Sequence, residues 1–204
     1  MRRTRWPGVA LAVAGLLTLT ACSSGTDAVA RGSTFEFVSP GGQTTIFYDP
    51  STSRGTAPDL SGESLPKPGT QIRLSDYAGK VVVINIWGSW CGPCRAETPE
   101  LEKVFEQTQS SGVQFLGIDV RDDRAAAEDF VRDRHVTYPS IFDPSGRSLL
   151  ALNGYPRSVV PSTLVLDRRH RVAAVFLTAL IASDLLPVVQ RVAAEPTPPQ
   201  GRPA

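Results

Sequence analysis

Two cysteines, Cys91 and Cys94, stand three positions apart with only Gly92 and Pro93 between them. A thiolate can attack a disulfide, and a second thiol this close can displace it from the resulting mixed disulfide. The apolar run Val81–Ile84 precedes the pair, and an amphipathic stretch follows it. Between a strand and a helix, this spacing indicates redox chemistry. The pattern therefore predicts a disulfide that forms and breaks during function.

The expected helix gives the two thiols different roles. Its first turn favours an anion, and in such motifs the thiol pKa falls from about 8.5 to roughly 3.5–7.5. We predict that Cys91, at the exposed end, is the nucleophile and that Cys94 is the resolving thiol. Pro93 suits the first helical turn, where its missing N–H has no helical partner, and Gly92 keeps the approach open. A static disulfide and half of a metal site are the competing interpretations.

The third cysteine, Cys22, ends a segment with the features of a targeting signal. Arg2, Arg3 and Arg5 form a basic start, and the apolar or small residues Val9–Thr20 are fewer than the roughly 20 that a spanning helix needs. The sequence Leu-Thr-Ala-Cys at its end resembles the lipobox of bacterial lipoproteins, which implies a lipidated cysteine at the mature N-terminus. A secretory signal cleaved before an unmodified cysteine is the alternative.

Length and charge narrow the class of protein. The chain has 204 residues, 41% of them hydrophobic, which suits one globular domain with extensions. Removing the three arginines of the signal leaves 18 basic residues against 20 acidic ones, and this balance gives no indication of nucleic-acid binding. We predict a signal peptide at 1–21, a tether and β-hairpin at 22–54, the main domain at 55–195 and a Pro-rich disordered tail at 196–204.

The main domain reads as strand and helix patterns in alternation. Buried strands are predicted at 81–87 and 113–120, followed by a strand pair at 163–166 and 172–176, with helices at 95–107, 124–134 and 181–194. The hairpin of the N-terminal extension is predicted from segments 34–38 and 44–48. The order β-α-β-α-β-β-α predicts an α/β fold, a mixed central sheet with helices on both faces, as in thioredoxin.

The segment Asn85–Pro99 resembles the active site of membrane-anchored, extracytoplasmic thioredoxin-like proteins of the TlpA/ResA group. The resemblance extends from about Ala57 to Ala194. It implies a protein-disulfide reductase without a cofactor or a metal, with apocytochrome c before haem attachment as a substrate. It also implies a transmembrane electron donor of the CcdA type.

The same resemblance assigns two further residues near the thiols. Glu97 matches the acidic residue that this group uses in proton handling, and it lies three residues after Cys94 on the same helical side. Asn85 stands where cytoplasmic thioredoxins carry a buried aspartate, and an amide cannot exchange a proton. The alternative for Glu97 is an exposed, solvated helix residue, and the alternative for Asn85 is a strand residue with a purely structural hydrogen bond.

A proline before the strand at 163–166 carries a further prediction. Thioredoxin folds place a cis-proline facing the cysteines there, which suggests that Pro161 is cis and that the Val160 backbone pairs with a substrate strand. Pro156 is the competing candidate, and an ordinary trans proline is the alternative. Trp90 and Trp87 are predicted as an apolar rim that binds substrate, although Trp87 equally suits the core.

The direction of electron flow follows from the residues between the cysteines. Gly-Pro is the dipeptide of reducing thioredoxins, whose potential is about −270 mV, so we expect reduction of disulfides in exported proteins. A thiol peroxidase or antioxidant is one alternative, and a non-catalytic metal or peptide carrier is another. His135 and His170 stand far from acidic partners and give the carrier little support.

Overall fold

The computed structural model describes residues 34–196, so the predicted signal peptide, Cys22 and nearly all of the predicted tail lie outside it. The described part of the chain contains no helix long and apolar enough to cross a membrane. Eight strands form one sheet, and three helices accompany it. Their bounds are β1 (Thr45–Phe47), β2 (Ser61–Ser64), β3 (Gln71–Arg73), β4 (Val81–Trp87), α1 (Gly92–Thr108), β5 (Val113–Val120), α2 (Arg124–Asp133), β6 (Ser140–Asp143), β7 (Ser162–Leu166), β8 (Val172–Phe176) and α3 (Ala182–Ala193).

Strand β4 lies at the centre of the sheet, whose order is β1-β8-β7-β4-β5-β6-β2-β3. It pairs in parallel with β5 and antiparallel with β7, and all seven of its residues are buried. A strand covered on both faces needs apolar side chains at successive positions, and Val81–Ile84 supplies them. The mixed, thioredoxin-like sheet predicted from the sequence is therefore confirmed.

The two faces of the sheet are covered differently. Val81 and Val83 pack with the buried residues of α1 and α3, while Val82, Ile84 and Ile86 point to the other face. That other face is covered by residues outside the α-helices: Phe35, Tyr48, Leu60, Leu149, Leu152 and Tyr155.

Helix α2 lies on the same face of the sheet as the other two α-helices. Its buried residues Ala127 and Phe130 cluster with Trp87, which lies on the same face of β4 as Val81 and Val83. All three α-helices therefore cover one face, and the short 3-10 helix Ser148–Ala151, whose Leu149 is buried, lies against the other, so helices occupy both faces as predicted. Strand β6, which pairs in parallel with β5, was not predicted. Helix α1 connects the parallel strands β4 and β5, and α2 connects β5 and β6 in the same direction across the sheet.

The predicted N-terminal hairpin is wrong. Segment 34–38 makes only isolated bridges, Thr34 with Thr56 and Glu36 with Asn153, while β1 pairs antiparallel with the edge strand β8. The exposed hydrogen-bonding groups of β8 offer β1 a longer partner than the short segment before it. The side chains of Phe35 and Tyr48 also join the core, with ring centroids 5.6 Å apart.

Strand β2 was not predicted, because its Ser-Gly-Glu-Ser sequence is polar. It pairs with β3 and β6, so its backbone rather than its side chains determines its place. A Cβ at Gly62 would lie 2.4 Å from the Cγ2 atom of Ile141, so only glycine fits there without displacing that side chain.

Candidate active site

Cys91 and Cys94 form a disulfide at the start of α1, with their Cα atoms 5.3 Å apart. Cys91 is the residue before the first helical turn, and its Sγ accepts a hydrogen bond from the Cys94 N–H at 3.1 Å. The helix begins at Gly92 and continues through Pro99, three residues earlier than its predicted start. Cys91 is 3% exposed and Cys94 fully buried, so the predicted order of exposure holds but the difference is small.

Glu97 lies on α1 three residues after Cys94 and is 1% exposed, which rules out a solvated helix glutamate. Its Oε1 accepts from the Asn85 side-chain amide at 2.9 Å, and its Oε2 accepts from the Leu180 N–H at 3.1 Å. Burial raises the pKa of Glu97 to about 7, against the lowering effect of these two hydrogen bonds. The carboxyl can therefore hold or release a proton near neutral pH. Its role in catalysis stays a prediction.

Asn85 orients that carboxyl. Its Nδ2 donates to Glu97 and also to the Thr163 Oγ1 on β7 at 3.2 Å. An amide at this position satisfies Glu97 without adding a second buried negative charge, as an aspartate would. The hydrogen-bonded interpretation of Asn85 is thus correct, and its partner is the predicted proton handler.

The two tryptophans beside the motif have different surroundings. Trp87 is buried and stacks on Phe130 with centroids 4.8 Å apart, so it belongs to the core around the disulfide. Trp90 is 48% exposed, and its Nε1 donates to the Val120 carbonyl at 3.1 Å. Only Trp90 is therefore placed to form the exposed rim predicted for both.

The loop before β7 holds the predicted proline. The Val160–Pro161 peptide is cis, and in residues 34–196 the other cis peptide precedes Pro50, so the competing Pro156 is trans. Below the loop, the Ser162 hydroxyl donates to the Val159 carbonyl at 3.0 Å and accepts from Tyr155 at 2.6 Å. Val160 is half-buried and packs against the cluster around the disulfide. Pairing of its backbone with substrate stays a prediction.

Sequence reasoning missed the residues that hold the loop before Cys91. Both the N–H and the hydroxyl of Ser89 donate to the Asp122 carboxylate, the hydroxyl at 2.8 Å. The Arg95 side chain donates twice to the Ser89 carbonyl, at 2.8 and 3.1 Å. Asp122 lies two residues after the end of β5, and polar residues at the ends of central strands are the signal that could have indicated it.

A second buried carboxyl was missed as well. Asp119 pairs in register with Trp87 and is fully buried, and neither of its carboxyl oxygens has a hydrogen-bond partner. Burial, followed by the negative charge of Asp122, raises the pKa of Asp119 to about 8. The acid therefore stays largely protonated at neutral pH. A lone aspartate inside an apolar strand was the available sequence signal.

The side chains that could bind a metal ion are scattered over the domain. In the described residues 34–196, no group of three or more His, Cys, Asp or Glu side chains is arranged to hold a metal ion. His135 is exposed just after α2. His170 lies in the turn between β7 and β8, and its Nε2 is 3.1 Å from the carbonyl oxygen of Tyr77.

A thioredoxin-like sheet with a Cys-x-x-Cys disulfide at a helix start defines the class of thiol–disulfide oxidoreductases. The Redoxin family model matches residues 52–189. The thiol-disulfide oxidoreductase ResA of Geobacillus thermodenitrificans is 32% identical over 130 residues, which cover 64% of this chain and 72% of that protein. The thiol:disulfide interchange protein DsbE of Pseudomonas aeruginosa is 34% identical over 138 residues, which cover 65% of this chain and 73% of that protein.

Solved structures give the same result. A secreted thiol-disulfide isomerase of Corynebacterium glutamicum is 46% identical with a TM-score of 0.77, covering 80% of this chain and all of that one. A DsbF homologue of Corynebacterium diphtheriae is also 46% identical, with a TM-score of 0.73 and coverage of 78% and 99%. The chain belongs to the Redoxin family, in its TlpA/ResA-like thioredoxin group, and is an extracytoplasmic thiol–disulfide oxidoreductase.

Proposed function

We propose that this protein reduces disulfides in exported proteins, with Cys91 as nucleophile, Cys94 as resolving thiol and Glu97 as proton handler. The observation that carries the proposal is the Cys91–Cys94 disulfide at the start of α1, with a buried and hydrogen-bonded glutamate three residues further along the same helix. The Gly-Pro dipeptide between the cysteines supports the reductive direction.

The reaction begins with both cysteines reduced. The Cys91 thiolate attacks one sulfur of the substrate disulfide, so a mixed disulfide forms and one substrate thiolate leaves and takes up a proton. Cys94 then loses its proton and attacks the Cys91 sulfur, which forms the internal disulfide and releases the second substrate thiolate. Two electrons pass to the substrate. A group with a pKa of about 7, such as Glu97, can accept the Cys94 proton near neutral pH.

Location and partners complete the proposal. Lipidation at Cys22 would hold the domain at the outer face of the membrane, with residues between Cys22 and Thr34 as a tether. A donor of the CcdA type would return two electrons to the Cys91–Cys94 disulfide after each turnover. The ResA and DsbE relatives support a disulfide-bearing protein as substrate, and we propose apocytochrome c.

One observation favours a second candidate, the isomerisation or oxidation of disulfides in secreted proteins. The Corynebacterium glutamicum relative, 46% identical, is described as a secreted thiol-disulfide isomerase. The reduction potential separates the two functions. A value near −270 mV favours the reductase, whereas a value of about −180 mV or higher, as in protein disulfide isomerase, overturns it.

Turnover tests the roles of the cysteines. The reduced full-length chain is mixed with a disulfide-bonded protein, and the appearance of substrate thiols is followed. We expect Cys91→Ser to abolish the reaction and Cys94→Ser to stop it at a mixed disulfide. Trapping with Cys94→Ser in cells would identify the client, and recovery of only a membrane donor would contradict an exported substrate.

A further inference from the structure

Three arginines connect to the loop before Cys91, Arg95 and Arg121 directly and Arg134 through the Arg95 carbonyl. Within residues 34–196, the side chains of Arg95, Arg121 and Arg134 make no ion pair, in contrast to Arg54 and Arg124. Each is instead held by neutral groups. Arg95 donates to the Ser89 carbonyl, Arg134 donates to the Arg95 carbonyl at 3.5 Å, and Arg121 lies over an aromatic ring. These contacts restrain the three arginine side chains, but none of the contacts is an ion pair.

Arg121 is the best placed of the three. Its guanidinium carbon lies 4.7 Å from the centroid of Trp90, the residue before Cys91, and its Nη2 donates to the Ser158 carbonyl at 3.4 Å. Ser158 belongs to the loop that leads to Pro161. The exposed Arg121 side chain therefore spans the two loops that flank the disulfide, so a polypeptide bringing its cystine to Cys91 would meet it.

The backbone of Arg121 shows that this placement is maintained against a cost. Its φ is 55°, in the left-handed region that non-glycine residues seldom adopt. Its N–H donates to the Pro144 carbonyl at 3.2 Å. The contacts with Trp90, Ser158 and Pro144 together hold the residue in that conformation.

The acidic residues nearby already have partners. Asp122 accepts the two hydrogen bonds of Ser89, Asp123 accepts from the Ala125 and Ala126 N–H groups at the start of α2, and Glu63 pairs with Arg124. They weaken the positive field of the rim, but none of them occupies the arginine side chains that face outward.

We propose that these arginines select substrates with an aspartate or glutamate beside the cystine, and that Arg121 is the main specificity residue. The inference rests on the proposed reductase function. A guanidinium can bind a carboxylate through two parallel hydrogen bonds, and the exposed indole of Trp90 offers a surface for the neighbouring apolar residue. An acidic client is also drawn to the site faster by the positive rim.

Three cystine peptides that differ only in the residues beside the cysteines test the proposal: one with aspartates, one with asparagines and one with lysines. The second-order rate of their reduction by the reduced full-length chain is measured. We expect the aspartate peptide to react about three-fold faster than the asparagine peptide and the lysine peptide about three-fold slower. Raising the salt to about 1 M, where the Debye length is about 3 Å, should bring the rates together.

Variants assign the effect to its residue. Arg121→Gln should lower the aspartate-to-asparagine ratio towards one, and Arg121→Glu should reverse the preference in favour of the lysine peptide, which misfolding cannot produce. The matched control is Arg169→Gln, an exposed arginine in the turn at the far end of β7 from Pro161. It should leave the ratio unchanged. Equal rates for the three wild-type reactions would overturn this inference but leave the reductase intact, whereas reduction of none would overturn both.

Discussion

The two buried carboxyl groups near the disulfide are held in opposite ways. Glu97, on the β7 side of β4, accepts from Asn85 and from the Leu180 N–H. Asp119, on the β5 side, has no partner for either oxygen and lies close to the charge of Asp122. Donors aimed at a carboxylate stabilise its charged form, so burial raises the pKa of Glu97 less than that of Asp119, whose oxygens receive no hydrogen bond. Burial alone therefore does not make a proton carrier, because the neighbouring donors decide which acid can ionise.

The largest expected effect separates the two acids by turnover. Glu97→Gln should lower the rate of disulfide reduction at pH 7 about 100-fold, because general acid–base catalysis contributes about this much. Asp119→Asn should change it by less than about three-fold. Stopped-flow measurement of substrate reduction by each reduced variant checks this. Similar losses in the two variants would remove the distinction between the acids.

The free energy of unfolding should respond to the substitution of Asp119, although turnover should not. Asp119 ionises with a pKa of about 8 in the folded chain but at its ordinary 3.8 when unfolded, so the folded state binds the extra proton between these values. The free energy of unfolding therefore falls as pH rises from about 4 to about 8. Asp119→Asn should remove this loss and stabilise the oxidised protein by about 1–3 kcal/mol at pH 8, with little gain at pH 4. Urea unfolding of both proteins at the two pH values measures it. A gain of equal size at pH 4 would contradict the assignment.

A substitution at Asn85 can give Glu97 a negatively charged neighbour, as Asp119 has in Asp122. Asn85→Asp places another carboxyl against Glu97, and like charges raise the pKa of the pair. The upper inflection in the pH dependence of turnover should move up by about one unit. A matched control, Thr163→Val, removes the other acceptor of the Asn85 amide and adds no charge. An inflection that stays in place in Asn85→Asp would show that the Asn85–Glu97 contact does not govern proton exchange.

The smallest effect concerns the role of Asp122. Ser89→Ala removes one of the two hydrogen bonds between Ser89 and this carboxylate and keeps the one from its N–H. The cost to stability should be about 1 kcal/mol, with turnover within about two-fold of the unmodified chain. Thermal unfolding and the same reduction assay measure both quantities. A loss of turnover as large as that of Glu97→Gln would place Asp122 in the chemistry.

These sites also show how far the sequence could be interpreted. The apolar run of β4, the Cys-x-x-Cys pair and the spacing of Glu97 are local patterns, and each led to a correct position in the fold. Asp119 and Asp122 were missed because their meaning depends on the parallel pairing of β4 and β5, which brings residues 33 positions apart together at Ser89. Strand β2 was missed because its polar residues are paired through the backbone.

The N-terminal error has the same physical origin. Segments 34–38 and 44–48 have the alternation and turn residues of a hairpin, so local reasoning pairs them with each other. The edge of β8 is a better partner for β1, and Phe35 and Tyr48 gain burial in the main core. Competition from a distant sheet edge cannot be read from the hairpin sequence itself.

The pH dependence of the resolution step, in which Cys94 releases the second substrate thiol from the mixed disulfide in a single turnover, tests the central claim, that Glu97 exchanges the proton of Cys94. The reduced full-length chain, Glu97→Gln and Asp119→Asn are compared from about pH 5 to 9, which brackets the pKa of about 7 of Glu97. We predict an inflection near pH 7 in the unmodified chain and in Asp119→Asn, and its loss in Glu97→Gln. An inflection that persists in Glu97→Gln would contradict the account.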